Sequence, residues 1–194
     1  MSTYLFNYVS LAILSIFISN KNTQLHGREI ARKLNKNQRT IQLHLENLYN
    51  KKILSKEEKG KNYEYSINKE NPQYKQTILL TEISKNIDFL NQEFEIASII
   101  NDIKELTNDP ILIFGSYAKG YNNKESDIDT LIITEKKINA NIIQHKYTKN
   151  IHIITMTKAS FESSLKKGDS FPTEVLRHHI LCQGFEYFIH LEWR

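Results

Sequence analysis

The sequence has little of what secreted or membrane-spanning proteins need. A single cysteine, Cys182, among 194 residues allows no intramolecular disulfide, and nothing indicates an oxidising compartment. The most apolar stretch, residues 5–18, is short for a membrane span, contains polar interruptions, and follows no positive charge. We therefore expect a cytoplasmic protein without membrane association, in which residues 5–18 form a buried or partner-facing helix.

The overall composition is that of a globular protein, but its charge is unevenly distributed. Hydrophobic residues make up 40% and charged residues 25%, which suits one large or two small domains and does not indicate disorder. Residues 1–70 contain 12 Lys and Arg against 6 Asp and Glu, whereas residues 71–194 contain 14 against 16. The basic front half suggests a polyanionic partner, and the alternative is a solvated, lysine-rich surface.

Two apolar runs predict the strands around which the chain is organised. Residues 111–114 form an unbroken apolar run after Pro110, and residues 130–133 repeat the pattern. Gly115 and Ser116 follow the first run directly. A glycine lets the backbone approach a ligand closely, and the next amides can point at an anion, so a phosphate chain would fit there.

Two acidic residues lie just before the second apolar run, residues 130–133. Asp127 and Asp129 are two positions apart, so on a strand both carboxylates project from one face. Such a pair repels unless a cation lies between the two groups, and Mg²⁺ binds through one or two carboxylates plus substrate phosphates. The pattern predicts that the acids hold Mg²⁺. Lys119 and Lys124 lie between Ser116 and the acidic pair in the sequence. They could neutralise phosphate charge, or could be plain surface residues.

At these residues the sequence resembles a known family. Gly115-Ser116, ten intervening residues, and then Asp127-x-Asp129 resemble the signature of the minimal nucleotidyltransferases of the DNA polymerase β superfamily. The resemblance implies an α/β domain with a small mixed sheet and closing helices. It also implies transfer of a nucleoside monophosphate from ATP or another nucleoside triphosphate to a hydroxyl. In that family three carboxylates hold two Mg²⁺ ions, with the third on a neighbouring strand.

The position of the third carboxylate departs from that pattern. Residues 151–157 form the next strand candidate, and His152 stands about where the acid is expected. Glu135, Glu162 and Asp169 are nearby alternatives, but none replaces it convincingly. A neutral imidazole is a poor Mg²⁺ ligand, so His152 would act as a proton acceptor or simply pack. Nucleotide binding without turnover is therefore an alternative to catalysis.

Residues 25–67 predict two helices followed by a hairpin. Apolar spacing predicts helices over 25–34 and 38–51, separated by a three-residue break in which Asn37 can cap the second helix. Residues 53–67 then predict a β-hairpin with Gly60 in its turn. Together these elements resemble a winged helix-turn-helix domain, with residues 37–48 similar to its recognition helix and 56–61 similar to its wing.

That resemblance implies two sets of residues facing duplex DNA. Side chains near the start of the recognition helix would face outward to base edges, and lysines beside it and in the wing would meet phosphates. The alternative is a winged helix used only for protein contacts or dimerisation. The expected base readers are Gln38, Arg39 and Gln42, and the expected phosphate contacts are Lys36, Lys59 and Lys61.

The expected architecture is α+β with three segments. Residues 1–70 form the winged helix-turn-helix domain, 71–87 a helical linker, and 88–194 the nucleotidyltransferase-like domain, whose last helices are expected over 159–167, 173–181 and 185–193. The leading hypothesis is a DNA-binding protein that binds Mg²⁺ and a nucleoside triphosphate and transfers a nucleotidyl group, adenylyl for instance, to a macromolecular hydroxyl. The alternative is a catalytically degenerate regulator that senses nucleotide or dimerises. The acceptor is not specified, and a homodimer is left open.

Overall fold

The computed structural model of the chain describes residues 6–18, 22–60 and 62–192. The chain divides into two compact units, Met1–Thr81 and Glu82–Arg194. The division falls inside the segment 71–87 that the sequence suggests as a linker, and the domain limits at 70 and 88 remain predictions. Within the described ranges, no helix combines the length and the apolar character needed to cross a membrane.

The described residues of the first unit contain three complete helices, the start of a fourth, and a three-stranded sheet. The helices are α1 (Tyr8–Ile18), α2 (Gly27–Lys33) and α3 (Gln38–Asn50), and the strands are β1 (Leu25–His26), β2 (Leu54–Lys59) and β3 (Asn62–Ile67). The strands pair antiparallel in the order β1-β3-β2. This confirms the helix-turn-helix followed by a hairpin. One expectation is corrected: Leu25 and His26 belong to a strand and not to the first helix, because they pair with Tyr65 and Glu64 of the hairpin.

The ends of the recognition-type helix follow from local chemistry. The Asn37 side chain accepts a hydrogen bond from the backbone N–H of Arg39 at 2.8 Å, so one of the orphan donors of the first turn of α3 is satisfied. Along α3, Ile41, Leu45 and Leu48 are buried on one stripe. The opposite side of the helix is exposed and mostly polar, with Leu43 as an exposed apolar residue.

A 19-residue helix, α4 (Tyr74–Gln92), contains the boundary between the two units, and α5 (Phe94–Leu106) comes directly after it. Four isoleucines of α5, at positions 96, 99, 100 and 103, are buried at helical spacing. They pack α5 into a core cluster of the second unit.

The second unit is built on a four-stranded mixed sheet in the order β6-β5-β4-β7. Its strands are β4 (Ile111–Phe114), β5 (Ile128–Ile133), β6 (Ile151–Met156) and β7 (Ile180–Gln183), and its remaining helices are α6 (Gly115–Lys119), α7 (Asn141–Gln144), α8 (Lys158–Lys167), α9 (Ser170–Arg177) and α10 (Phe185–Glu192). β5 and β6 are parallel, whereas β4 pairs antiparallel with both β5 and β7.

The sheet is covered on both faces. Ile111, Ile113 and Ile128 belong to one core cluster, which includes the buried isoleucines of α5. Leu112 and Leu131, which alternate with them, belong to a second cluster that includes residues of α8, α9 and α10. Because alternate residues of a strand point to opposite faces, strands covered on both sides read as continuous apolar runs.

The final segment of the chain departs from the sequence prediction. A helix over residues 173–181 was expected, but α9 ends at Arg177, and Ile180–Gln183 forms β7 at the edge of the sheet. The run Ile-Leu-Cys is apolar whether it forms a helix or a strand, and only its pairing with β4 decides between them. Gln183 fixes this edge by donating hydrogen bonds to the carbonyls of Thr107 and Asp109, each at 2.9 Å.

Candidate functional site

The glycine and the second acidic residue of the motif meet at one end of the sheet. Phe114, the last residue of β4, lies opposite Asp129 of β5, and Gly115 follows it directly. Gly115 has a φ of 72°, in the left-handed region. A Cβ built at this position would collide with the Asp129 carboxylate, with Oδ2 as its nearest atom. Only a glycine therefore lets the turn close over the carboxylate.

The two acids occupy neighbouring but different positions. Asp129 lies in β5, while Asp127 precedes the first residue of that strand, and both side chains are partly exposed. The loop before them is ordered by Ser126, whose hydroxyl accepts a hydrogen bond from the Asn123 backbone N–H at 2.9 Å. Both carboxylates are therefore accessible to a ligand at the end of the sheet where Gly115 lies.

His152 stands beside Asp129 on the neighbouring strand. The parallel register of β5 and β6 places the two residues opposite each other, with His152 Nδ1 3.4 Å from Asp129 Oδ1. The other ring nitrogen, Nε2, lies 3.0 Å from Nδ2 of Asn150. When that amide donates to Nε2, the ring proton resides on Nδ1 and faces Asp129. The lone pair of the imidazole then faces Asn150 and not the acidic site.

The two lysines expected at the phosphates have different surroundings. Lys119 Nζ lies 2.7 Å from Oε1 of Glu174 on α9, and this hydrogen bond holds the pKa of Lys119 above its ordinary value and that of Glu174 below it. Lys124 is exposed in the loop, and its carbonyl accepts a hydrogen bond from Lys149 at 3.1 Å. The charge of Lys119 is thus already balanced by a carboxylate.

In the first unit, Gln42 is half-buried and its amide is bonded within the domain, and its role as a base reader stays a prediction. Its amide donates to the Tyr65 hydroxyl at 2.8 Å and to Glu46 Oε1 at 2.9 Å. The same carboxylate oxygen accepts from Tyr65 at 2.6 Å and from Lys56 at 2.8 Å. Burial opposes the charge of Glu46, but these donors hold its pKa below the ordinary value. Gln42 therefore belongs to a network that ties α3 to the hairpin, because its donors are already engaged.

The remaining residues expected at DNA are on the surface of the first unit where the structure describes them. Lys36, Gln38 and Arg39 are exposed around the start of α3. Lys59 is exposed at the end of β2, with Nζ 3.3 Å from Oε1 of Glu57, so part of its charge is compensated. Lys61 lies outside the described residues.

Two protein-family models match the chain. The model of the penicillinase repressor family matches residues 11–111, which is just over half of the chain. This chain belongs to the penicillinase repressor family. The model of the nucleotidyltransferase domain matches residues 95–182, which include Gly115, both acids and His152. No curated protein and no solved structure matches the chain.

The protein is therefore a repressor-type winged helix joined to a nucleotidyltransferase domain, as the two sequence resemblances predicted. The repressor match extends through α4 and α5 into the start of β4, so the two matches overlap over residues 95–111. The helix α5, which the sequence assigned to the nucleotidyltransferase-like part, is thus common to both.

Magnesium is the metal that nucleotidyltransferase domains imply, and the donor set of the domain fits it in part. Asp127 and Asp129 are hard oxygen donors at one sheet end, and two carboxylates with substrate phosphates suffice for one Mg²⁺. A third acid would have to stand where His152 stands. Among the described residues, no group of three His, Cys, Asp or Glu side chains could hold a metal by itself. The donors therefore suit one ion that arrives with the triphosphate, and they lack the third carboxylate of a two-ion site.

Two features of the site could not be found from the sequence. Glu174 neutralises Lys119 from a helix 55 positions later in the chain, and Asn150 orients the His152 ring. Neither residue belongs to a motif. The only available signal for Asn150 was its position two residues before His152, which on a strand places both side chains on one face.

Proposed function

We propose that this protein is a DNA-binding regulator whose nucleotidyltransferase domain binds a nucleoside triphosphate with Mg²⁺ as a ligand. The observation that carries the proposal is the placement of His152 opposite Asp129, where the family has its third carboxylate. Asn150 donates to His152 Nε2, so the imidazole is held away from the role of proton acceptor. Binding would be retained while the group that activates an attacking hydroxyl is absent.

Different residues of the nucleotide site would hold the triphosphate, hold the metal ion and approach the phosphates. The turn at Gly115 and Ser116 would hold the triphosphate, since it passes directly over Asp129 without a side chain in the way. Asp127 and Asp129 would hold the Mg²⁺ ion, which neutralises the phosphate oxygens when bound. Lys124 could approach the phosphates from the exposed loop, whereas Lys119 would first have to leave Glu174.

The DNA-facing residues follow from exposure on the repressor domain. Gln38 and Arg39 stand at the start of α3, where helix-turn-helix proteins read base edges in the major groove. Lys36 precedes that helix and Lys59 ends β2, at positions suited to phosphate contacts. The basic charge of residues 1–70 supports the same partner. Lys61 is proposed as a further phosphate contact on its sequence position alone.

A homodimer is proposed as the state in which the chain binds DNA. Two copies would present two recognition helices to duplex DNA, as helix-turn-helix dimers do.

Calorimetric titration of the whole chain tests the nucleotide proposal. We expect saturable binding of ATP that requires Mg²⁺ and is lost in Asp127→Ala, with no label transferred from labelled ATP to any macromolecule of a cell extract. Asp88→Ala, which removes a carboxylate of α4 outside the motif, serves as the matched control and should bind ATP as the wild type does. Failure of the wild type to bind any nucleoside triphosphate would remove the proposal.

Nucleotidyl transfer is the second candidate, favoured by the retention of both acids and by the match to the nucleotidyltransferase family. In that reaction a macromolecular hydroxyl attacks the α-phosphorus, its proton passes to a base, and the bond to the β-phosphate breaks to release pyrophosphate. His152 could accept the proton only after losing its contact with Asn150. Label that appears on a macromolecule with wild type and disappears with Asp127→Ala would establish transfer.

The DNA assignment is tested by the salt dependence of duplex binding. We expect affinity that falls steeply with salt, because phosphate contacts release counterions, and that is weakened in Arg39→Ala combined with Lys59→Ala. Lys167→Ala, which removes an exposed cation of the nucleotidyltransferase domain, is the charge control. An affinity unchanged in the double variant would contradict the groove assignment.

A further inference from the structure

A cavity of about 420 Å³ lies beside the acidic site within the nucleotidyltransferase domain. It is lined by residues at the end of β4, in α6 and in α9. Cavities of a few hundred Å³ with mostly apolar walls and a few polar groups are the usual sites for small molecules. Its lining includes Phe114, Gly115, Ser170, Phe171 and His178, together with the ion pair of Lys119 and Glu174.

Gly115 connects this cavity to the acidic site. Its backbone borders the cavity, and the place where its side chain would stand is taken by the Asp129 carboxylate. The cavity therefore opens one residue away from the acids proposed to hold the metal and the triphosphate. A molecule whose phosphates lie at Asp129 has its remaining part close to this opening.

The walls of the cavity suit a flat aromatic group. The rings of Phe114 and Phe171 meet edge to face, with centroids 5.6 Å apart and an interplanar angle of 88°. Phe171 is only partly buried, and nucleobases stack on such rings. Ser170 and His178 add polar atoms that can bond to base edges. The paired charges of Lys119 and Glu174 leave the rim without a large net charge, which suits a neutral base.

We propose that this cavity takes the base of the bound nucleoside triphosphate, with Phe171 as the stacking surface. The inference rests on the proposed function, because it assumes that the triphosphate lies at Gly115 and Asp129. It adds that the protein distinguishes a nucleotide from inorganic triphosphate, and that α9 and not the motif sets the preference among bases. Phe171 and its neighbours are then specificity-determining residues of the site.

The test compares ATP with inorganic tripolyphosphate, each titrated with Mg²⁺ into the full-length chain. We expect the wild type to bind ATP about tenfold more tightly than tripolyphosphate, since tenfold lies within the range that stacking of one base contributes. Phe171→Leu, which removes the ring but keeps an apolar side chain, should bring the ratio close to one while tripolyphosphate binding is unchanged. Phe94→Leu makes the same change at a residue that is 75% exposed outside the cavity, and it should keep the wild-type ratio.

The Phe171 ring also packs on the core, so Phe171→Leu could fail to fold, and a second variant tests the cavity without changing that ring. Ser170→Trp fills the cavity from an exposed position and should block ATP but spare tripolyphosphate. Thr173→Trp makes a similar change at an exposed residue of the same helix that does not line the cavity, and it should spare both. An ATP-to-tripolyphosphate ratio unchanged in both cavity variants overturns the pocket and leaves the proposed function standing. Binding of neither ligand to wild type overturns both.

Discussion

The imidazole of His152 lies across the parallel strands from the carboxylate of Asp129, with Nδ1 3.4 Å from Oδ1. A ring N–H that faces the carboxylate interacts favourably with it at this distance. A carboxylate in place of His152 would instead repel Asp129 and create a stronger site for cations. In the proposed function, the residue at position 152 therefore decides whether the domain only binds a nucleotide or also transfers its nucleotidyl group.

Replacing His152 by aspartate should restore the missing acid. We expect His152→Asp to release pyrophosphate from ATP at least tenfold faster than wild type in the presence of Mg²⁺ and an acceptor, because each tenfold step needs only about 1.4 kcal/mol of transition-state stabilisation. The measurement is coupled detection of pyrophosphate. His145→Asp makes the same change at an exposed histidine and should have no effect. Loss of an existing wild-type activity in His152→Asp would show instead that the imidazole is the working base.

Gly115 and Gly120 form a matched pair that separates backbone strain from steric contact. Both have φ near +70°, but a Cβ at Gly120 meets nothing within 4 Å, whereas one at Gly115 meets the Asp129 carboxylate. Each change to alanine should lower the free energy of unfolding by about 1 kcal/mol through the left-handed conformation. Only Gly115→Ala should also weaken ATP binding, by tenfold or more, in a calorimetric titration. Equal effects of the two variants on ATP would mean that the carboxylate contact is irrelevant to binding.

Gln38 and Gln42 should respond in opposite ways, because one is exposed and the other is bonded inside the repressor domain. Gln42→Ala removes a donor from both Tyr65 and Glu46, so we expect a loss of about 1 kcal/mol in unfolding free energy with unchanged base preference. Gln38→Ala should leave stability unchanged and alter the preferred DNA sequence. Urea unfolding and selection from a randomised duplex pool measure the two properties. A stable Gln42→Ala variant with altered base preference would show instead that the Gln42 side chain contacts the bases.

A buried acid of α4 should give the nucleotidyltransferase domain an acid-dependent stability. Burial disfavours the charge of Glu82, but Lys85 and His179 hold its pKa below the ordinary value of 4.5. A carboxyl with a lowered folded pKa stabilises the fold above its unfolded pKa, and this contribution is lost as the pH falls through the lower folded value. Glu82→Gln should therefore lower the unfolding free energy by about 2 kcal/mol at pH 7 and flatten its decline below pH 4.5.

Urea unfolding at a series of pH values measures this effect, and Glu186→Gln on the exposed side of α10 is the control. The carboxylate Oε2 of Glu82 and Nε2 of His179 are 3.6 Å apart, and neither atom has a hydrogen-bond partner in the part of the chain that the structure describes. An identical acid-side slope for wild type and Glu82→Gln would show that this pair does not contribute.

Much of the fold was predictable because its signals are local. Asn37 caps α3 through its own neighbour Arg39, and the apolar runs at 111–114 and 130–133 mark strands covered on both faces. The glycine, serine and two acids of the motif are close in sequence, so their spacing alone carried the resemblance. The residues 180–183 were assigned to a helix because a short apolar run has no period that distinguishes the two structures.

The sequence by itself determined a basic helix-turn-helix with a hairpin, and a glycine-serine turn followed by two acids. Only the tertiary structure decided what surrounds them: that Gln42 is bonded to Tyr65, that Lys119 is neutralised by Glu174, and that a cavity opens beside Gly115. Local patterns fix which segments form helices and strands, because those choices depend on neighbours in the chain. Partners brought together by strand pairing and helix packing are set by contacts between distant segments, and no spacing within one segment encodes them.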